Sequence, residues 1–313
     1  MAINSNIKAI LVTGAHRSGT SWVGKMLAAS PKLAYISEPL NLLHRPGVMR
    51  ATVEHWYTYI CEENESQFLT PMQETIDLRY HLFREIRSLR SLRDFFRMVR
   101  DRSNFLIGRI RHQIPLLKDP FAIFSAAWFA QRLGCYVVIM VRHPAAFTSS
   151  LLRLKWSFDF SDLLKQPLLM RDWLEPYRAE MVQILAKSDD DVLAQSCLLW
   201  KIIYDVVSQL EDRYPQFLVV RHEDLSRDPL EGFRDIYSMM GLEFTRKEAQ
   251  TILEFSGGDN PKENPDREKY SIRLDSRVSL NNWKKRLSRA EIDRIQVLTE
   301  DIAHRYYSSE EWD

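Results

Sequence analysis

The stretch Thr13-Gly14-Ala15-His16-Arg17-Ser18-Gly19-Thr20-Ser21-Trp22 limits the folds open to this chain more than any other. Ile7-Lys8-Ala9-Ile10-Leu11-Val12 before it is short, apolar and rich in β-branched residues, the pattern of a buried strand. Val23 to Ala29 after it continues as a helix. Strand, glycine turn and helix in that order bring the turn's N–H groups and the helix N-terminus to face one point, where their partial positive charges favour an anion. Gly14 and Gly19 allow close approach of the backbone to that anion, and Thr20 and Ser21 add hydroxyl donors.

The spacing Gly14-x4-Gly19 copies the start of a nucleotide-triphosphate loop, but such a loop needs Lys directly after the second Gly, and Thr20 stands there. The cation sits instead at Arg17.

Further strands read from the same kind of run. Leu33-Ala34-Tyr35-Ile36 ends at Ser37-Glu38-Pro39, and Ile114-Pro115-Leu116-Leu117 delivers Lys118-Asp119-Pro120. Cys135 to Val141 is continuous and apolar, as a central parallel strand is, and ends in Arg142-His143-Pro144. Phe217-Leu218-Val219-Val220 ends in Arg221-His222-Glu223-Asp224-Leu225. Strands alternating with helices predict an α/β fold: three layers, with a parallel sheet of about five strands between helices. In such sheets ligands bind along the carboxyl edge, which places Glu38, Lys118, Arg142 and His222 on the rim of the phosphate loop. With 313 residues and 45% hydrophobic content, one large domain spanning 1–313 is expected.

Residues 40–113 hold few strand signals and read as a helical insertion that shapes an acceptor site. Arg79 to Arg111 contains ten Arg. Leu82, Ile86, Leu89, Phe96 and Val99 recur there at helical spacing, so an amphipathic helix with a basic face is expected, open to an anionic glycan, an acidic carrier, a membrane surface or solvent. From Leu151 to Arg213 the chain reads as helical, broken at Asp189-Asp190-Asp191, with Trp156, Trp173 and Trp200 as core or as pocket lining. Ser256 to Pro261 marks a loop, and Ser288 with Glu291 predicts a capping box on the last long helix.

The net charge of +1 carries no global field for nucleic acid. Cys61, Cys135 and Cys197 are few and odd in number, as expected of reduced thiols in a cytoplasmic protein. The first residues lack a signal-peptide pattern, and no run approaches a transmembrane span.

Arg17-Ser18-Gly19-Thr20-Ser21-Trp22 resembles the 5′-phosphosulfate loop of sulfotransferases that use 3′-phosphoadenylyl sulfate (PAPS). Glu38 lies 21 residues beyond Arg17, where several of these families carry a catalytic Glu. The Lys118-Asp119-Pro120 triplet resembles one in tyrosylprotein-type and many bacterial members, where the Lys lies beside the transferring group. Arg142-x7-Ser150 matches their 3′-phosphate site, with Ser149 as the alternative hydroxyl. Arg221 to Leu225 resembles a segment whose Tyr contacts adenine, a place that His222 takes here. Val278 to Ser288, with Trp283, Lys284 and Lys285, resembles the late segment that closes over the 3′-phosphate. On that basis Arg277 and Lys284 are expected at the nucleotide.

The resemblance implies sulfuryl transfer from PAPS to a hydroxyl or amine of a small-molecule or glycan acceptor, acidic ones included, with release of 3′-phosphoadenosine 5′-phosphate (PAP). Arg17, Lys118 and the loop N–H groups would stabilise charge on the bridging oxygen, and Glu38 would take the acceptor's proton. Trp22 would offer adenine a face. No metal is implied. Two rival readings are a kinase-like phosphotransferase, which needs Mg²⁺ and ATP, and a non-catalytic anion- or glycan-binding protein centred on the Arg-rich helix.

Overall fold

The computed structural model describes residues 7–187, 191–263 and 272–313. Five strands form one sheet: β1 (Ala9–Gly14), β2 (Leu33–Ser37), β3 (Ile114–Lys118), β4 (Cys135–Val141) and β5 (Leu218–Arg221). Their order is β2-β3-β1-β4-β5, and every pairing is parallel. β1 begins and ends later than its apolar run suggests, because pairing with β4 continues from Ala9 opposite Cys135 to Gly14 opposite Met140.

Both faces of the sheet are covered, which is why its strands read as unbroken apolar runs. Leu11, Val137 and Ile139 pack with Phe129, Trp200 and Ile295 from the helices Ala126–Leu133, Val192–Arg213 and Arg289–Ala303. Ile10, Val12 and Val138 pack on the opposite face with Val23, Met26 and Phe233 from the helices Thr20–Leu27 and Pro229–Met239. The Ser288–Glu291 capping box is formed. Of the Asp189-Asp190-Asp191 break, Asp189 and Asp190 lie outside the described residues. Asp191 caps the helix Val192–Arg213 by accepting from the Ala194 N–H at 3.0 Å.

The insertion departs from its expected form. Residues 40–64 contain no helix or strand, and the Arg-rich stretch is two helices, Leu82–Ser88 and Leu92–Ile110. Leu89 turns extended between them and Ser91 accepts from the Asp94 N–H at 3.1 Å, which starts a new helix and resets its phase. The apolar positions expected to face the body point outward as a result: Ile86, Phe96 and Val99 are exposed. Met98, Phe105 and Gly108 make the inward contact in their place, against β2. A Cβ added at Gly108 would come within 2.9 Å of the Ala34 side chain.

Candidate active site

Parallel pairing aligns the strand ends, so the residues that follow them converge on one edge. Gly14 leaves β1 at φ 142°, where a Cβ would sit 2.5 Å from the Met140 carbonyl, so the turn requires glycine. Gly19 caps the following helix at φ 97°, with the His222 ring where its Cβ would be. Between them Arg17 adopts φ 68°. Arg17 Nε–H donates to Ser150 Oγ at 3.0 Å, and Arg142 Nη1–H donates to the Arg17 carbonyl at 2.5 Å. The ends of β1 and β4 and the helix after β4 are thereby tied through one arginine.

Two cavities open on either side of this loop. The first is lined by Arg17, Gly19, Trp22, Arg142, Ser150 and His222, with Arg153 from the same helix as Ser150 and Arg286 from later in the chain. His222 is partly buried in the cavity wall, its ring 5.6 Å from that of Trp22. Burial first, then the nearby Arg142 charge, lowers its pKa to about 3, so it offers a neutral ring at physiological pH. Trp22 is itself largely buried and donates Nε1–H to Ser256 Oγ at 3.2 Å. Ser149 does not line the cavity, and its hydroxyl has no partner among the described residues, which decides between the two serines.

The expectation for the late basic residues needs correction. Arg277 and Lys284 line a separate hollow beside His143 and Glu311. Arg277 Nε–H donates to the Arg227 carbonyl at 2.8 Å, and Lys284 Nζ contacts the Asp313 carbonyl. Lys284 and Arg286 belong to the short helix Asn282–Arg286. Two residues are about 200° apart around a helix, so the two side chains leave on opposite sides and only Arg286 reaches the cavity.

The second cavity shares Arg17 and Gly19 with the first, adds Thr20 and Ser21, and is otherwise different. Its walls are aromatic: Trp56, Tyr57, Phe121, Trp156 and Phe158. Glu38 and Asn41 are its carboxylate and amide. Glu38 follows β2 in the left-handed region at φ 50°, which costs a non-glycine residue about 1–2 kcal/mol and so must be held. The Glu38 N–H donates to the Lys118 carbonyl at 2.8 Å, and the next turn is pinned by Leu40 N–H donating to Asp119 Oδ2 at 2.5 Å. Glu38 Oε1 meets Lys118 Nζ, while Oε2 accepts from Asn41 Nδ2 at 2.6 Å.

Lys118 is buried and lines neither cavity; it stands behind Glu38. Burial opposes its charge, but Tyr35, Glu38 and Asp119 together outweigh burial and raise its pKa, so it remains an ammonium. Asp119 is fully buried, and that burial pushes its pKa up to about 7 against the two backbone N–H groups it accepts from. His16 is partly buried beside Arg17, and desolvation first, then the Arg17 charge, lowers its pKa to about 4. Its Nδ1 lies 2.5 Å from the Tyr57 hydroxyl, which also accepts from the His16 N–H at 3.1 Å.

The sequence points to Glu38 and Lys118 but not to the loop residues around them. Asn41, Trp56 and Tyr57 lie in a stretch without periodicity, and Asp119 was noted only within its triplet. Of Trp156, Trp173 and Trp200, it is Trp156 that lines the second cavity. Trp200 is buried with its Nε1–H on the Arg142 carbonyl at 2.8 Å, and Trp173 donates to the Tyr59 hydroxyl at 3.2 Å elsewhere. No residue between Arg79 and Arg111 lines either cavity.

A family profile described as the sulfotransferase family matches residues 9–246. The chain belongs to the sulfotransferase family. A carbohydrate sulfotransferase 1 from Danio rerio is 27% identical over 207 residues, covering 65% of this chain and 44% of the relative. Its counterpart from Mus musculus is 27% identical over 193 residues, covering 60% and 41%. The matched part of this sulfotransferase thus spans less than half of the length of either relative. Among solved structures, a sulfotransferase domain of the Synechococcus olefin synthase aligns over 98% of this chain and 97% of its own, at 16% identity and a TM-score of 0.48.

Proposed function

We propose that this chain transfers a sulfuryl group from PAPS to a hydroxyl or amine of a small-molecule or glycan acceptor, with the first cavity holding the nucleotide and the second the acceptor. The observation that carries the reading is the shared wall: Arg17 and Gly19 line both cavities, Arg142 and Ser150 only the first, and Glu38 only the second. A group passed between two ligands has to cross at such a wall. The carbohydrate sulfotransferases among the relatives support a glycan acceptor, since sugar rings pack well against indole and phenyl faces.

PAPS brings a sulfuryl group on a phosphate that leaves readily, and the residues present fit it. Ser18 Oγ is buried without a partner among the described residues, the loop's N–H groups converge at the helix start, and the first cavity gathers three arginines beyond Arg17. Arg142 can fork onto a terminal phosphate, with Ser150, Arg153 and Arg286 nearby. Trp22 and the neutral His222 present rings for a base. Arg17 and the turn N–H groups stabilise charge developing on the departing oxygen, a contribution of several kcal/mol in a preorganised site.

Glu38 accepts the acceptor's proton through the carboxylate that faces the second cavity. Lys118 and Asn41 fix the orientation of that carboxylate, and the Lys118 ammonium, which lines neither cavity, adds positive charge from behind Glu38. Asp119 acts through the backbone, holding the turn that aims Glu38. The three cysteines are free thiols, which supports the cytoplasmic location included in this proposal.

Calorimetric titration with PAP, PAPS and ATP, each with and without Mg²⁺, tests the reading. PAP should bind tightly without the metal, and labelled PAPS should lose its sulfuryl group to an alcohol or amine in an acceptor screen. ATP binding that depends on Mg²⁺, with PAP silent, would replace it with the phosphotransferase reading.

A further inference from the structure

The helix Leu92–Ile110 has an outward surface that neither cavity uses. It has 19 residues, so it is about 28 Å long. Met98, Phe105 and Gly108 turn one side to the body. Stepping round at about 100° per residue, Leu92, Phe96, Val99, Leu106 and Ile110 fall in one row on the far side. All five are exposed, Leu92 at 80% and Phe96 at 69%. The same steps put Arg93, Arg97 and Arg100 along one border of the row and Arg102 and Arg109 along the other. On the preceding short helix, Phe83 is 80% exposed, with Arg84 and Arg87 on one side of it. Arg84, Arg87, Arg93, Arg102, Arg109 and Arg111 form no ion pair with any described residue.

We propose that this face docks the protein onto a bilayer bearing anionic lipid headgroups. An apolar row bordered on both sides by guanidinium groups is the profile of a helix lying in a membrane interface, with rings in the acyl boundary and arginines reaching up to phosphates. Soluble proteins rarely expose a contiguous apolar row of this length. A second copy of the chain is a poor occupant, because two such faces would bring unpaired arginines against each other. No described helix is long and apolar enough to cross a membrane. The helix is already folded and fixed to β2, so docking costs little ordering entropy.

Flotation of the full chain with vesicles of phosphatidylcholine alone, and of phosphatidylcholine mixed with phosphatidylglycerol, tests the proposal. The protein should float with the anionic vesicles, be released by salt, and stay behind with the neutral ones. Arg93→Gln, Arg102→Gln and Arg109→Gln together should weaken binding about 100-fold. Leu92→Ser with Phe96→Ser should abolish flotation. Unchanged PAP affinity in both variants checks that the fold survives, since none of these residues lines a cavity. Absent or salt-insensitive flotation, equal binding to neutral vesicles, or binding that survives both variants would overturn the proposal. So would a dimer in solution that Leu92→Ser with Phe96→Ser dissolves, because the face would then belong to an interface between copies.

Discussion

On one side of Arg17 the walls are guanidinium and hydroxyl groups from Arg142, Ser150, Arg153 and Arg286; on the other they are rings from Trp56, Tyr57, Phe121 and Trp156 around the carboxylate of Glu38. The first set suits a ligand of high fixed charge, because several cations and a helix start converge on it. The second suits an uncharged ring with a hydroxyl proton to lose. The difference teaches that the two halves of the site answer to different energies. In the proposed reaction, charge-assisted hydrogen bonds would hold the nucleotide on one side, while apolar burial with one proton transfer would serve the acceptor on the other.

The largest effect expected from breaking one half alone is at Glu38. Glu38→Gln keeps shape and hydrogen bonding but cannot take a proton at neutral pH, so turnover should fall about 10²–10⁴-fold. PAP affinity, read by calorimetry, should stay near that of the native chain. The loss should be greatest for an aliphatic alcohol and smaller for an acidic phenol. Near-native turnover on an alcohol would remove Glu38 as the base. His16 would be the next residue to test, although a pKa of about 4 makes it a poor proton acceptor at neutral pH.

The converse break is Arg142→Ala, expected to weaken PAP binding by roughly 1.5–3 kcal/mol. Adenosine 5′-phosphosulfate, which lacks the 3′-phosphate, should lose far less, and Ser150→Ala should repeat the pattern more weakly. Equal losses on both nucleotides would take Arg142 out of a 3′-phosphate site.

Trp156→Ala should raise the acceptor KM by a few-fold to tenfold, about 1 kcal/mol for a half-exposed ring, and leave the nucleotide untouched. A change in PAP affinity instead would mean that the two halves are not separate. The smallest effect belongs to Lys284→Ala, whose PAP affinity should match the native chain within about 0.5 kcal/mol, as for a surface change away from a site. A tenfold loss there would restore Lys284 to the nucleotide and undo the assignment of Arg286.

How much of this was legible in the sequence follows from where each signal comes from. The residues after strand ends could be read because a parallel sheet turns a local apolar run into a shared edge. That rule brings Arg17, Glu38, Lys118, Arg142 and His222 to one edge from the sequence alone. Trp56 and Tyr57 could not be read, because the loop from 40 to 64 has no repeat and its path is set by distant partners such as Ser125, which accepts from the Ile60 N–H at 2.9 Å. Arg286 was missed for a phase reason: a five-residue helix gives too short a pattern to tell its two sides apart. The Arg-rich stretch failed in a related way. Its period was visible, but the cap at Ser91 restarted the count, and burial went to Met98 and Phe105.

Because Arg17 and Gly19 line both cavities, molecules that span the two become attractive inhibitors. An adenylate group joined to an aromatic alcohol would need no more than a short tether to occupy both at once. Once either end is seated, the other is presented at a high effective concentration, and the gain in affinity is multiplicative when the tether matches the gap. Chemists could then vary the aromatic end to search for the natural acceptor, with the nucleotide end serving as a constant anchor.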